Sequence, residues 1–304
     1  MLGKAEALAH LRLATAVADL DVEEVFLPAE KHVVVDGLRL HYLDWGRDGR
    51  SPLLFLHGGC LTAHSWDLVC LTLRNEYDCL ALDQRGHGDS EWSPILDYGP
   101  DAHVRDIRGL IRELGVTRPV LIGQSMGGLN AMTYAVQRPN ELAAIVLVDV
   151  GPEVHWNGVQ RIRDFVLDDP GSGQLEDFVQ RAHAFNPRRD PRLLRMSLLQ
   201  NLRELPGGGF TWKYDRRRFT TEMFAGVRKG MDELHAALDA ITCPALVVRG
   251  AESDVFSERQ AARFAAALPD GRRATVENAG HTVQGDNPGG LVRVLRDFLE
   301  EIGH

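Results

Sequence analysis

The chain has 304 residues, 44% of them hydrophobic and 25% charged, so it is long enough to bury a substantial core and too ordinary in composition to be disordered or fibrous. Its 34 Lys and Arg against 43 Asp and Glu leave a net charge of -9, and a field of that sign repels phosphate backbones and anionic lipid heads. Nucleic acid and membrane are thereby set aside as partners, and a small molecule is expected instead.

Residues 1–25 open with apolar side chains at helical spacing (Leu2, Leu8, Leu13, Val17, Leu20), interrupted by His10, Arg12 and Asp19. That interruption argues against a signal peptide and for a short amphipathic helix that docks on the body or on another subunit, which would allow a homodimer. No run approaches the roughly 18 to 20 apolar residues of a membrane helix; the run Ala143–Val148 is ended by Asp149. The cysteines Cys60, Cys70, Cys79 and Cys243 show neither C-x-x-C spacing nor a histidine cluster, so no zinc site or disulfide framework is expected, and a reducing cytoplasm is the expected compartment.

Strand-like Val33–Val35 and Leu38–Leu43 flank Asp36-Gly37, a hairpin signal. Short apolar runs follow at Leu53–Leu56, Cys79–Leu82, Val120–Ile122 and Ala144–Val148, alternating with helical patterns at Ser65–Arg74, Asp101–Leu114 and Met126–Gln137. Strands buried on both faces read this way, so the fold class is α/β, with a mostly parallel sheet between helices. The rhythm halts at Gly151-Pro152 and resumes with strand Ala245–Val248, helix Ser257–Leu268, strand Ala274–Val276 and a last helix from Pro288 to Ile302. Residues 26–151 and 241–304 are therefore read as the core, and residues 152–240, which show no buried strand run, as an inserted helical cap.

Gly123-Gln124-Ser125-Met126-Gly127-Gly128 stands directly between a buried strand and a helix. A hydroxyl is a poor nucleophile, and a fold that uses one holds it on a sharp strand-to-helix turn where flanking glycines let the two elements approach. With His57-Gly58-Gly59-Cys60, Asp83-Gln84-Arg85-Gly86-His87-Gly88 and Asn278-Ala279-Gly280-His281, this motif resembles the α/β-hydrolase fold family over nearly the whole chain. The resemblance implies an eight-stranded sheet with the cap inserted after the sixth strand. It also implies a serine hydrolase in which Ser125 attacks, His281 carries the proton and an acid between them in chain order orients the imidazole.

The acid is assigned to Asp254 in the loop after strand Ala245–Val248, with Glu252 the next candidate and Asp149, at the end of the sixth strand, the third. Family members most often carry Asp at the position held here by Ser253. By the same resemblance the amides of Gly59 and Met126 form the oxyanion hole, with Cys60 as alternative to Gly59. His57 and His87 are read as loop braces and Cys60 as a wall of the pocket. Serine in place of Asp at the elbow disfavours haloalkane dehalogenase and epoxide hydrolase chemistry, and no motif asks for a metal or an organic cofactor.

The expected reaction is hydrolysis of small to medium carboxylic esters through an acyl-enzyme. The alternatives are C–C bond hydrolysis of a carboxylated dienoate or diketone and, in another class, a ligand receptor that retains the triad without sustained turnover. Between Arg181 and Arg218, ten Lys or Arg stand against three acids. A lid of that sign either attracts an anionic substrate or presents solvated faces that pair with acids elsewhere, and the second reading is preferred. Phe185, Phe210, Trp212, Tyr214, Phe219 and Phe224 lie in that interval or just after it and form either a pocket wall or the cap's own core.

Overall fold

A computed structural model describes residues 3–304. After the N-terminal helix α1 (Lys4–Val17), strands β1 (Ala29–Val35) and β2 (Leu38–Asp44) form the expected hairpin. Asp36 and Gly37 both take positive φ, 48° and 81°, as a two-residue turn matched to strand twist requires. The core continues through β3 (Pro52–Leu56), α2 (Asp67–Leu73), β4 (Asp78–Leu82), α3 (Pro100–Glu113), β5 (Val120–Gln124), α4 (Met126–Gln137) and β6 (Ala144–Val148).

The cap holds α5 (Trp156–Leu167), β7 (Ser172–Gly173), α6 (Leu175–Phe185), α7 (Pro191–Asn201), β8 (Leu202–Glu204), β9 (Phe210–Trp212) and α8 (Thr221–Ala236). The core then resumes with β10 (Ala245–Gly250), α9 (Glu258–Ala267), β11 (Gly271–Val276), α10 (Val283–Asp286) and α11 (Pro288–Glu301). Eight strands form one sheet in the order β1-β2-β4-β3-β5-β6-β10-β11, antiparallel only where β2 meets β1 and β4.

Alternate residues of the buried strands feed two cores, because successive side chains leave a strand on opposite faces. Leu53, Phe55, Val146 and Val148 pack with Val69 and Leu73 of α2 and Leu295 and Phe298 of α11. Leu54, Leu56, Ile145 and Leu147 pack with Ile107 of α3, Met132 of α4 and Phe264 of α9. Charges collect on the edge strand β1 (Glu30, Lys31), which is largely exposed and so protected from pairing with other chains. Helix α1 buries Leu11 and Ala14 and contacts both α2 of the core and α7 of the cap.

The cap is not purely helical. Its β7, β9 and β8 form a three-stranded antiparallel sheet that packs Leu202 and Trp212 with Phe178, Leu194 and Leu198. Strands of two and three residues are too short for alternation to register in a sequence.

The Asp83–Gly88 turn ties the sheet's edge to the loops around it. Asp83 accepts from the amides of Ala63 (2.7 Å) and Asp89 (2.9 Å) and sits 2.7 Å from His41 Nδ1. Arg85 grips Asp106 of α3 through Nε (2.5 Å) and Nη2 (2.7 Å). Burial pushes the Asp83 pKa up, but the His41 hydrogen bond and charge and the Ala63 amide outweigh it and hold the carboxyl below the usual carboxylate range. A depressed folded-state pKa stabilises above the unfolded value of about 4 and loses that stabilisation as pH falls through the folded one. Asp83→Asn is therefore expected to cost about 3 kcal/mol at pH 7. Urea unfolding should show the gap between wild type and variant shrinking below about pH 4.

Candidate active site

At the end of β5 the chain turns sharply into α4 at Ser125, whose φ of 51° and ψ of -116° lie outside the regions L-residues favour. Its N–H donates to Val148 O (3.1 Å), and its carbonyl accepts from Leu129 N (3.0 Å), so the strained residue is fixed from both sides. A Cβ on Gly123 would lie 2.3 Å from Gly127 O, and one on Gly127 would lie 2.2 Å from Leu56 O. Strand and helix cross too closely there for any side chain.

His281 sits in the loop between β11 and α10, with Nδ1 2.7 Å from Asp149 Oδ2. Asp149 follows β6 directly, is fully buried and has φ 51°. Its Oδ1 accepts the Gly250 amide (3.0 Å), and its Oδ2 accepts the Ser253 hydroxyl (2.6 Å). A buried carboxylate needs such donors, and here three elements supply them.

This arrangement corrects the assignment of the acid to Asp254. The Asp254 carboxylate is half exposed and paired with Arg161 of α5, while Glu252 is paired with Arg188 Nε at 2.7 Å. Both acids of that loop reach the cap, and neither is bonded to His281. The physical reason is the adjacency of β6 and β10, where Val148 pairs with Val248: the loops leaving these strands open side by side, and a carboxylate from either can meet the same imidazole. Ser253, at the position where Asp was expected, donates to Asp149 instead. One signal was legible, since Asp149 is the charge that ends an otherwise apolar buried run, and buried acids are rare without a task.

Gly59 and Met126, the proposed oxyanion donors, line one cavity of about 300 Å³ with Ser125, Asp149 and His281. The loop after β3 is braced from within. His57 Nδ1 lies 2.7 Å from Gly58 O, and Nε2 accepts the Gln84 amide at 3.0 Å, which assigns the proton to Nδ1. Burial holds His57 below the usual histidine range, so the ring is neutral and serves as a strut. The Gln84 side chain donates to His57 O (2.6 Å) and accepts from Asn130 of α4 (2.6 Å), which couples the loop to the helix behind Ser125.

Sequence reasoning gave no role to Gln124. Its amide donates to His281 O (3.0 Å) and lies 3.3 Å from His281 Nε2, so it steadies the histidine loop from the elbow itself.

The walls are largely apolar, with Val159, Ile162, Phe185, Phe224 and Met231 facing the cavity. Of the six cap aromatics, Phe185 and Phe224 are wall, Trp212, Tyr214 and Phe219 belong to both wall and cap core, and Phe210 packs on the cap core alone. The basic stretch divides as well. Arg181 and Arg216 pair with Asp169, Arg188 with Glu252, Arg192 with Asp190, Arg195 with Glu176, Lys213 with Asp89 and Arg217 with Asp215. Arg203 lies over the Trp92 ring. Most of the lid's charge is thus paired with acids of the cap and the core, and Arg189, Arg203 and Arg218 remain without an ion-pair partner among the described residues.

Residues 51–288 match the alpha/beta hydrolase fold family. The chain belongs to that family. It is 32% identical to Esterase Rv0045c of Mycobacterium tuberculosis over 85% of each chain, and 30% identical to the sn-1-specific diacylglycerol lipase ABHD11 of Mus musculus over 83% of each. The crystal structure of the Mycobacterium tuberculosis esterase superposes with a TM-score of 0.78, at 28% identity, covering 99% of this chain and 100% of that one. A structure of E-2-(acetamidomethylene)succinate hydrolase gives a TM-score of 0.79 at 23% identity, covering 90% of this chain and 99% of that one, and shares the fold.

Cys60 lines the same cavity, and burial pushes its thiol up to about 12 against the opposing pull of the Arg218 charge and a Tyr214 hydrogen bond. At pH 8 its thiolate fraction is then about one in ten thousand. Alkylation of Cys60 by iodoacetamide, followed by mass spectrometry of the native protein, should be slow at pH 8 and rise about tenfold per pH unit to pH 10. A rate that levels off near pH 9 would mark an ordinary thiol.

Proposed function

We propose that the protein is a serine hydrolase that cleaves carboxylic esters of small to medium size through an acyl-enzyme. The observation that carries this reading is the 2.7 Å contact between His281 Nδ1 and the buried Asp149, in the same apolar cavity as the strained Ser125. Asp149 keeps the His281 proton on Nδ1, which leaves Nε2 free to act as base.

In the reaction, Ser125 Oγ attacks the ester carbonyl and passes its proton to His281 Nε2. The carbonyl oxygen becomes an oxyanion held by the Gly59 and Met126 amides. Collapse expels the alcohol, which takes the proton from His281. Water then attacks the acyl-Ser125 with His281 again as base, and the acid leaves. The rigid struts His57 and Gln84 fix the Gly59 loop before substrate arrives, so little reorganisation accompanies charge development. Relatives named as an esterase and a diacylglycerol lipase support ester cleavage as the chemistry.

Three variants test the assignment. Ser125→Ala should abolish labelling by a fluorophosphonate probe while the circular dichroism stays unchanged. Asp149→Asn should lower kcat for p-nitrophenyl butyrate by about 10⁴, because the amide leaves the imidazole in the wrong tautomer. Asp254→Asn should change kcat less than about threefold, in keeping with an exposed ion pair. A collapse of activity in Asp254→Asn with a mild effect in Asp149→Asn would return the role to the β10 loop.

A further inference from the structure

Two guanidinium groups, those of Arg218 and Arg189, line the cavity with no carboxylate in direct ion-pair contact among the described residues. Arg218, which follows the cap's aromatic stretch, is 9% exposed. Its Nη1 approaches His87 Nε2 at 3.4 Å, its Nη2 approaches Met126 Sδ at 3.4 Å, and its buried Nε has no hydrogen-bond partner. His87 is neutral, since burial and the Arg218 charge hold it well below the usual histidine range. The nearby acid Asp215 is already engaged by the Arg217 side chain and the Tyr98 hydroxyl (2.6 Å). Ring faces add to the support of the cation, with Tyr98 at 4.9 Å and Phe219 at 5.2 Å.

Arg189 lines the same cavity against Gly285 in the segment after His281; its buried Nε also lacks a hydrogen-bond partner, and the nearby Asp286 carboxylate only partly offsets its charge. Burying a cation without a counter-charge is unfavourable, and the rest of the lid avoids it by pairing. A fork of donors retained in an apolar cavity, beside the residue that follows the nucleophile, matches the bidentate geometry of a carboxylate.

We propose that the substrate is an ester bearing a carboxylate, held by Arg218 with Arg189 adding to the positive field of the cavity. The inference rests on the serine hydrolase reading and names the substrate class of that site. The apolar walls receive the chain between the scissile ester and the anionic group, and the guanidinium sets its register along the cavity. A neutral ester of the same shape leaves the Arg218 fork desolvated and unmatched, so discrimination against it arises from the unpaired cation.

The test uses two matched pairs of esters: monoethyl adipate against ethyl hexanoate, with the charge in the acyl part, and 4-(butyryloxy)butanoate against pentyl butyrate, with the charge in the alcohol part. For at least one pair the wild-type protein should favour the anionic ester at least tenfold in kcat/KM, with the ratio falling as NaCl is raised. In Arg218→Met the ratio for that pair should drop at least tenfold, chiefly through KM. Arg189→Met should lower it less, and Arg218→Lys, which keeps the charge and loses the fork, should fall between Met and wild type. Should Arg218→Met fail to fold, the wild-type ratio, its salt dependence and the Arg189→Met variant still decide.

A wild-type preference for the neutral esters in both pairs, no turnover of either anionic ester, or a ratio unmoved in both Met variants would overturn the inference. Loss of p-nitrophenyl butyrate hydrolysis together with loss of Ser125 labelling in the wild-type protein would instead overturn the hydrolase reading beneath it.

Discussion

The buried carboxylate of Asp149 is the interaction on which the site depends. It follows β6, accepts the Gly250 amide at the end of β10, accepts the Ser253 hydroxyl and holds His281 from the loop after β11. One anion thus ties together three neighbouring chain ends that emerge at the same edge of the sheet. Burial without these donors would be unfavourable, so the carboxylate both requires the convergence of the loops and rewards it. The position of the histidine is a consequence of sheet order before it is a consequence of local sequence.

The other side of Ser125 is held in place by uncharged hydrogen bonding. His57 and His87 are kept neutral by burial, and His57, Gln84 and Asn130 form a chain of donors and acceptors from the loop after β3 to α4. Such a network keeps the backbone amides of the loop free for a ligand by satisfying its other polar groups elsewhere. The Gly123–Gly127 crossing sets the same region sterically, because neither position has room for a Cβ. Electrostatics at one end and close packing at the other therefore position a single strained serine between them.

The cap contributes pocket chemistry more than scaffold. Its small core, built on Phe178, Leu198 and Trp212, is independent of the two cores of the main sheet and supports the wall above Ser125. Pairing removes most of its excess positive charge, so the residual field in the cavity comes from a few groups. Position relative to the cavity, which the sum of charges does not contain, separates a solvated Arg192 on Asp190 from a buried Arg218 over Tyr98.

Local chemistry was legible in the sequence wherever a motif is contiguous. The Asp36-Gly37 turn, the strand runs through Leu53–Leu56 and Ala144–Val148, and the glycines flanking Ser125 each record a constraint among residues close in the chain. Contacts across the sheet left no such record. The choice among Asp254, Glu252 and Asp149 turned on β6 lying beside β10, more than ninety positions away, and on Ser253 donating to a neighbour instead of supplying the acid itself. The role of Gln124 and the pairing of the cap's arginines were hidden for the same reason. A sequence encodes periodicity and backbone permission directly, whereas the partner of a buried charge is settled only when strands distant in the chain pack side by side and exclude water from the space between their ends.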